Sequence, residues 1–247
     1  MMQRFAGVGA RVANAVRVSK ELVASGAVDE TLVWSVPRGA LAFQLSLPPL
    51  DRIAFDYGEF VEGASHAYET LHALLYRDSR PGDGELLAGT CTPQIARVLG
   101  ATAEELHGGA APVRYTLEDS VLARRSLSAV VVDSFASPRE RDLEYTLRGY
   151  DDALYLADGA ARAALLDATT DELLALRRSR ESGAAPPPDD GAAALSAEFD
   201  VLFESNERVS VETGPAGSVV VEKRQVSTWR FVSPSLEAPE WRVAKIF

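Results

Sequence analysis

The sequence predicts an α+β fold. Two observations carry this: apolar residues recur at helical spacing through much of the first two-thirds of the chain, and alternating strand patterns joined by short turns fill the last third. A third restricts the fold to a single body with an appended arm. The 247 residues suffice for one large domain with a real core, and the composition shifts sharply only near residue 50 and in the Pro-rich stretch near 183–191. The reading is therefore an N-terminal segment and extended arm over 1–50, then an α+β domain over 51–247 with an insertion at about 150–196.

Composition narrows the function before any motif does. Apolar residues make up 47% and charged residues 25%, which is ordinary for a globular protein. The formal charge of −11 argues against DNA and against RNA as partners, because phosphate binding calls for a basic surface. A single cysteine, Cys91, excludes an internal disulfide framework and a Cys-rich zinc module; a buried inert thiol is expected there.

Residues 1–20 carry Arg4, Arg11, Arg17 and Lys20 and no acid, so the remaining 227 residues hold 21 basic and 36 acidic groups, a net of −15. Arg-bearing, acid-free and mildly amphipathic, the segment fits a mitochondrial targeting sequence. A secretory signal fits less well, since no continuous apolar stretch follows the charges. An ordinary N-terminal helix is the bland alternative. The most apolar window, 32–50, contains Arg38 and three prolines, which break any membrane-spanning helix. It reads as an extended arm with exposed apolar side chains (Trp34, Leu41, Phe43 and Leu45), lying on a partner subunit or on its own domain.

The clearest helix is expected over 59–77. Asp56 can cap it with Glu59 three residues on, and Phe60, Ala64, Ala67, Tyr68, Leu71, Leu74 and Leu75 form one apolar stripe. A second helix is expected over 92–106, opened by Thr92-Pro93, with Gly100 as a possible break. Leu127–Phe135 is β-rich, and Leu143–Leu147 is a candidate to pair with it. Helical spacing returns over 151–181 and ends in Arg177, Arg178 and Arg180, where cations suit a helix C-terminus. In the last third, Phe199, Val201 and Phe203 alternate, 213–217 is a turn, 219–232 is a long strand with Trp229 and Phe231 on one face, and 241–247 alternates again. Short turns between such strands point to an antiparallel sheet.

Catalytic and cofactor signatures are few. The chain has no Gly-rich phosphate loop, dinucleotide fingerprint or nucleophile elbow, and only three histidines. Glu69-x-x-His72 and Glu104-x-x-His107 repeat the Glu-x-x-His spacing that di-iron carboxylate bundles use. The tetrapeptide arises often by chance, and late strands do not suit a four-helix bundle, so solvated helix faces are the reading adopted. No catalytic residue, metal ligand or cofactor is assigned.

The segments Val226-Ser-Thr-Trp229-Arg-Phe231-Val and Glu237-Ala-Pro-Glu-Trp241-Arg-Val243-Ala resemble the C-terminal domain ending of the import-motor scaffold of the mitochondrial inner-membrane translocase. The membrane-anchoring protein of the mitochondrial large ribosomal subunit shares that ending. The start of the first domain helix, Phe60-Val-Glu-Gly-Ala64, resembles the same family. The resemblance covers roughly 55–149 and 197–247. Ser233-Pro234 departs from it, since an Arg usually follows the Trp-x-Phe strand, and 150–196 stands apart from it. The resemblance implies a curved antiparallel sheet with helices on its concave face and an apolar pocket between them, for which Tyr68, Leu71, Trp229, Phe231 and Trp241 are the candidate lining residues; they are equally suited to fill a core.

The function expected is a non-catalytic accessory subunit of a large mitochondrial inner-membrane complex, such as a respiratory complex or ATP synthase. It would sit peripherally on the matrix side and bind partner subunits or lipid. A mitoribosomal or protein-import component is the first alternative. A lipid- or small-molecule-binding protein or enzyme using the pocket is the second.

Overall fold

The structure, a computed structural model, describes residues 16, 17, 20, 24, 38–40, 43, 55–107, 113–150, 159–182, 194–213, 217–236 and 239–247. Three helices come first: α1 (Tyr57–Leu74), α2 (Asp83–Thr90) and α3 (Pro93–His107). The long strand β1 (Arg114–Phe135) is followed by α4 (Pro138–Arg148) and α5 (Gly159–Glu181). Strands β2 (Ala194–Glu212), β3 (Ser218–Ser233) and β4 (Arg242–Ile246) complete the chain. The sheet is antiparallel throughout, in the order β1-β2-β3-β4, so the α+β expectation holds.

Alternation along the strands decides which side the helices take. Phe199, Val201 and Phe203 of β2 and Trp229 and Phe231 of β3 point to one face and are buried there with Leu71 of α1, Leu87 of α2 and Leu99 of α3. The next residues along, Val232 of β3 and Ala244 of β4, point the other way and pack with Tyr145 and Tyr150. One end of the sheet is thus covered on both faces. Three register shifts along β1, between Leu117 and Asp119, Leu122 and Arg124, and Leu127 and Ala129, bend and twist this edge strand.

The end signals of the helices are local. Asp56 Oδ1 accepts from the amides of Gly58 and Glu59 at the start of α1. Gly100 does not break α3, which runs on to His107. The expected pairing of Leu143–Leu147 with β1 is corrected: these residues belong to helix α4. Its start is written in Ser137, whose hydroxyl accepts from the Glu140 amide, and in Pro138 and Glu140, which reaches back to the Ala136 amide. Its end is Gly149, in the left-handed conformation with φ of 75°. Arg177 and Arg180 do more than favour a helix C-terminus. Arg177 binds Glu140 at 2.9 Å and Glu144 at 2.6 Å, and Arg180 binds Glu140 at 3.1 Å, fastening α5 to α4.

The arm expectation is also corrected at Phe43. The arm is helical, not extended, at the described residues 38–40 and 43, and of the two placements left open Phe43 takes the one on its own domain: it is fully buried, and its ring meets Phe55 at 4.9 Å and Phe199 at 5.0 Å. Ala40 is buried beside it, and its carbonyl accepts from the Tyr57 hydroxyl at 3.1 Å. The physical reason is the row of aromatic rings on β2 and α1, which offers apolar cover that solvent does not. Trp34, Leu41 and Leu45 lie outside the described residues. Residues 38–40 approach β1 so closely that a Cβ on Gly39 would stand 2.0 Å from the Val130 carbonyl oxygen. Gly39→Ala is therefore expected to destabilise by about 1–3 kcal/mol, because a backbone carbonyl cannot rotate aside. Thermal unfolding checks this: a fall of roughly 3–10 °C is expected, and an unchanged midpoint would remove residues 38–40 from the core.

Candidate functional site

A cavity of about 600 Å³ opens beside the N-terminal half of α1. That is within the size range of ordinary ligand pockets. Its apolar walls are Phe55, Phe60, Ala64 and Ala67 from the α1 side, Phe231 from β3, and Pro239 and Trp241 from the approach to β4. Gly63 of α1 and Gly89 and Thr90 of α2 complete it, and Asp56 and Glu59 stand among its lining, both exposed to water.

Helix α1 builds the wall because its residues 60, 64 and 67 share a face, with the N-cap Asp56 one turn before them. Phe60 anchors the arrangement, with its ring 4.9 Å from Trp241, 4.9 Å from Phe199 and 5.6 Å from Phe231. Gly63 and Gly89 are the informative residues. Both lie within helices, where glycine costs about 1 kcal/mol relative to alanine. Neither has a positive φ, and a Cβ on either would meet no atom within 4 Å. No described neighbour requires either residue to be glycine, and both are exposed where they line the cavity.

The five lining residues expected from the sequence divide between two places. Phe231 and Trp241 border the cavity. Tyr68 and Leu71, further along α1, and Trp229 of β3 do not; they are buried in the core. There they surround a polar network that sequence reasoning missed. The Tyr68 hydroxyl lies 2.9 Å from Ser205 Oγ, and Ser205 donates to Glu207 Oε1 at 2.7 Å. His72 Nε2 stands 2.8 Å from the same oxygen, and Lys223 Nζ lies 3.1 Å from Glu207 Oε2 while donating to the Tyr76 hydroxyl at 2.8 Å. The rings of Tyr68 and His72 stack.

The electrostatics follow from this geometry. Burial works against the Glu207 carboxylate, but the Ser205 hydroxyl, His72 and Lys223 together outweigh it and hold its pKa below the usual carboxylate value. Burial also dominates at His72 and pushes it below the ordinary imidazole value, against the upward pull of Glu207. Burial raises the Tyr68 hydroxyl. Ser205 is not placed as a nucleophile: its proton points to the carboxylate that His72 also approaches, so the imidazole does not serve as its base. The signal that could have found this network is the polar pair Ser205 and Glu207 on the inward face of a strand otherwise carrying Phe199, Val201, Phe203 and Val209.

The remaining candidates resolve simply. His107 Nε2 lies 2.9 Å from the Leu75 carbonyl, and His72 is committed to Glu207, so the two Glu-x-x-His segments have structural partners. Among the described residues, no three His, Cys, Asp or Glu side chains are placed to hold a metal ion. Cys91 is buried and its thiol is pushed up to about 12 by burial, which suits an inert side chain. Among the described residues, no helix is long and apolar enough to cross a membrane. No family model, curated protein or solved structure matches the chain.

Proposed function

We propose that this protein is a non-catalytic binding subunit whose aromatic cavity seats apolar side chains of a partner protein. The observation that carries the reading is the open, aromatic-walled cavity between α1, α2 and the approach to β4, whose lining includes two helical glycines. The groups with hydrolytic potential, Ser205, His72 and Glu207, are turned on one another in the core and do not border it. The setting proposed is a large mitochondrial inner-membrane assembly such as a respiratory complex or ATP synthase, on its matrix side. That part rests on the acid-free, Arg-bearing first twenty residues and on the resemblance of the Trp229 and Trp241 segments to the import-scaffold ending.

Gly63→Leu tests the cavity directly. A Cβ at residue 63 meets no atom within 4 Å and the position is exposed, so the fold is expected to keep its stability within about 1 kcal/mol, since leucine is also the better helix former. Association is expected to fall at least tenfold, because the space for the partner's side chains is filled. Complexome profiling of mitochondria reads the outcome: wild type co-migrates with a large complex, and Gly63→Leu shifts to a monomer. Wild type migrating only as a free monomer would overturn the reading.

A further inference from the structure

We infer that the partner segment seated in this cavity is basic, an apolar anchor flanked by lysine or arginine; the inference rests on the cavity being a partner site. Among the described lining residues the ionisable ones are Asp56 and Glu59, and both are acidic. They stand one helical turn apart at the start of α1, exposed to water, while the walls beneath them are Phe55, Phe60, Phe231 and Trp241. An occupant must therefore bring apolar surface for the floor and place its polar end against two carboxylates. A carboxylate-bearing occupant would be repelled, and a neutral one would gain less at the rim than a cation. The net charge of −11 on the chain adds attraction at longer range for a basic partner. Basic residues beside an apolar anchor are the chemistry that satisfies both parts, in the manner of a short helix or strand docked in a groove.

The site also admits a clean test, because its charge can be removed without removing its shape. Asp56 caps α1 through Oδ1, and asparagine caps nearly as well. Asp56→Asn together with Glu59→Gln therefore leaves the helix in place and the rim neutral. The probes are three coumarin-labelled twelve-residue peptides that share a Leu-Trp-Leu anchor and differ only in flanking residues, which are Lys, Gln or Glu. Binding is read by fluorescence anisotropy at 50 mM and 300 mM salt, with circular dichroism as the fold check.

Wild type is expected to bind the Lys-flanked peptide about tenfold more tightly than the Glu-flanked one, with Gln between them and the gap narrowing at the higher salt. The double variant is expected to bind all three alike, and Glu105→Gln, an acid removed from the far end of α3, is expected to keep the wild-type order. Gly63→Leu is expected to lose all three. Equal affinities in wild type, or a Lys preference that survives the double variant, would overturn the basic-partner inference and leave the cavity reading standing if Gly63→Leu still blocks binding. Binding of none of the peptides, or binding that Gly63→Leu does not change, would overturn both.

Discussion

Phe199→Ala is expected to destabilise the protein by about 3–5 kcal/mol, the range for removing a fully buried phenylalanine. Phe199 has no exposed surface, and five rings converge on it: Trp241 at 4.5 Å, Phe60 at 4.9 Å, Phe43 at 5.0 Å, Phe55 at 5.6 Å and Tyr57 at 5.8 Å. These rings come from the segment before α1, from α1 itself and from the approach to β4. Losing the central ring strips the ring contacts that fix all three to β2, edge-to-face for Phe43, Phe55 and Phe60, stacked for Tyr57 and tilted for Trp241. Val219→Ala is the matched control. Val219 lies in the same sheet but is 62% exposed, and its truncation is expected to cost no more than about 0.5 kcal/mol. Urea unfolding of the two variants separates them. A cost below about 1 kcal/mol at Phe199 would mean that the aromatic cluster does not organise the helical face.

Glu207→Leu is expected to cost about 3–5 kcal/mol as well, by a different route. The Glu207 side chain is fully buried, and Ser205, His72 and Lys223 all face its carboxylate. Leucine fills comparable space but accepts nothing, so Ser205 and His72 are left in the interior without their acceptor, while Lys223, 37% exposed, can turn to water. Glu207→Gln keeps an acceptor and is expected to lose less.

The same cluster sets a pH dependence. Both Glu207 and His72 have folded-state pKa values below their unfolded values of 4.5 and 6.5. The unfolded chain then binds protons more readily than the folded one, so each contribution is present above the unfolded value and is lost as pH falls. Stability is expected to decline first as pH drops below about 6.5, from His72, and again below about 4.5, from Glu207. Urea midpoints measured from about pH 7.5 down to about pH 4 check this. His72→Phe, which preserves a ring against Tyr68, should remove the first step, and Glu207→Gln should weaken the second. Stability that rises on acidification through about pH 6.5 would show that His72 is protonated in the fold.

Much of the architecture is legible in local patterns. The stripe from Phe60 to Leu75 specifies α1, and Asp56 marks its start next to the observed boundary at Tyr57. The alternation of Phe199, Val201 and Phe203, and of Trp229 and Phe231, specifies strands with one apolar face. Helix α4 shows the limit of weighing one signal alone. Its few apolar residues, Leu143, Tyr145 and Leu147, alternate like a strand, yet Ser137-Pro138, Glu140 and Gly149 supply a cap, a start and a stop that fix a helix. Those end signals are present in the sequence and outrank a three-residue alternation.

Sequence alone determined the helical character of α1, α3 and α5 and the strand character of β2, β3 and β4, because spacing of 3.6 or 2 residues is a local property of the chain. The tertiary structure decided which apolar faces meet. Tyr68 and Ser205 are 137 residues apart and belong to one hydrogen-bonded network, and Phe43 leaves solvent only because Phe199 and Phe55 are brought to it. It also set Phe231 and Trp241 beside a cavity, while Tyr68 and Trp229, buried in the same core as Phe231, do not border it. All four carry the same apolar signal, and what divides them is where the packed elements leave space, which no local spacing specifies.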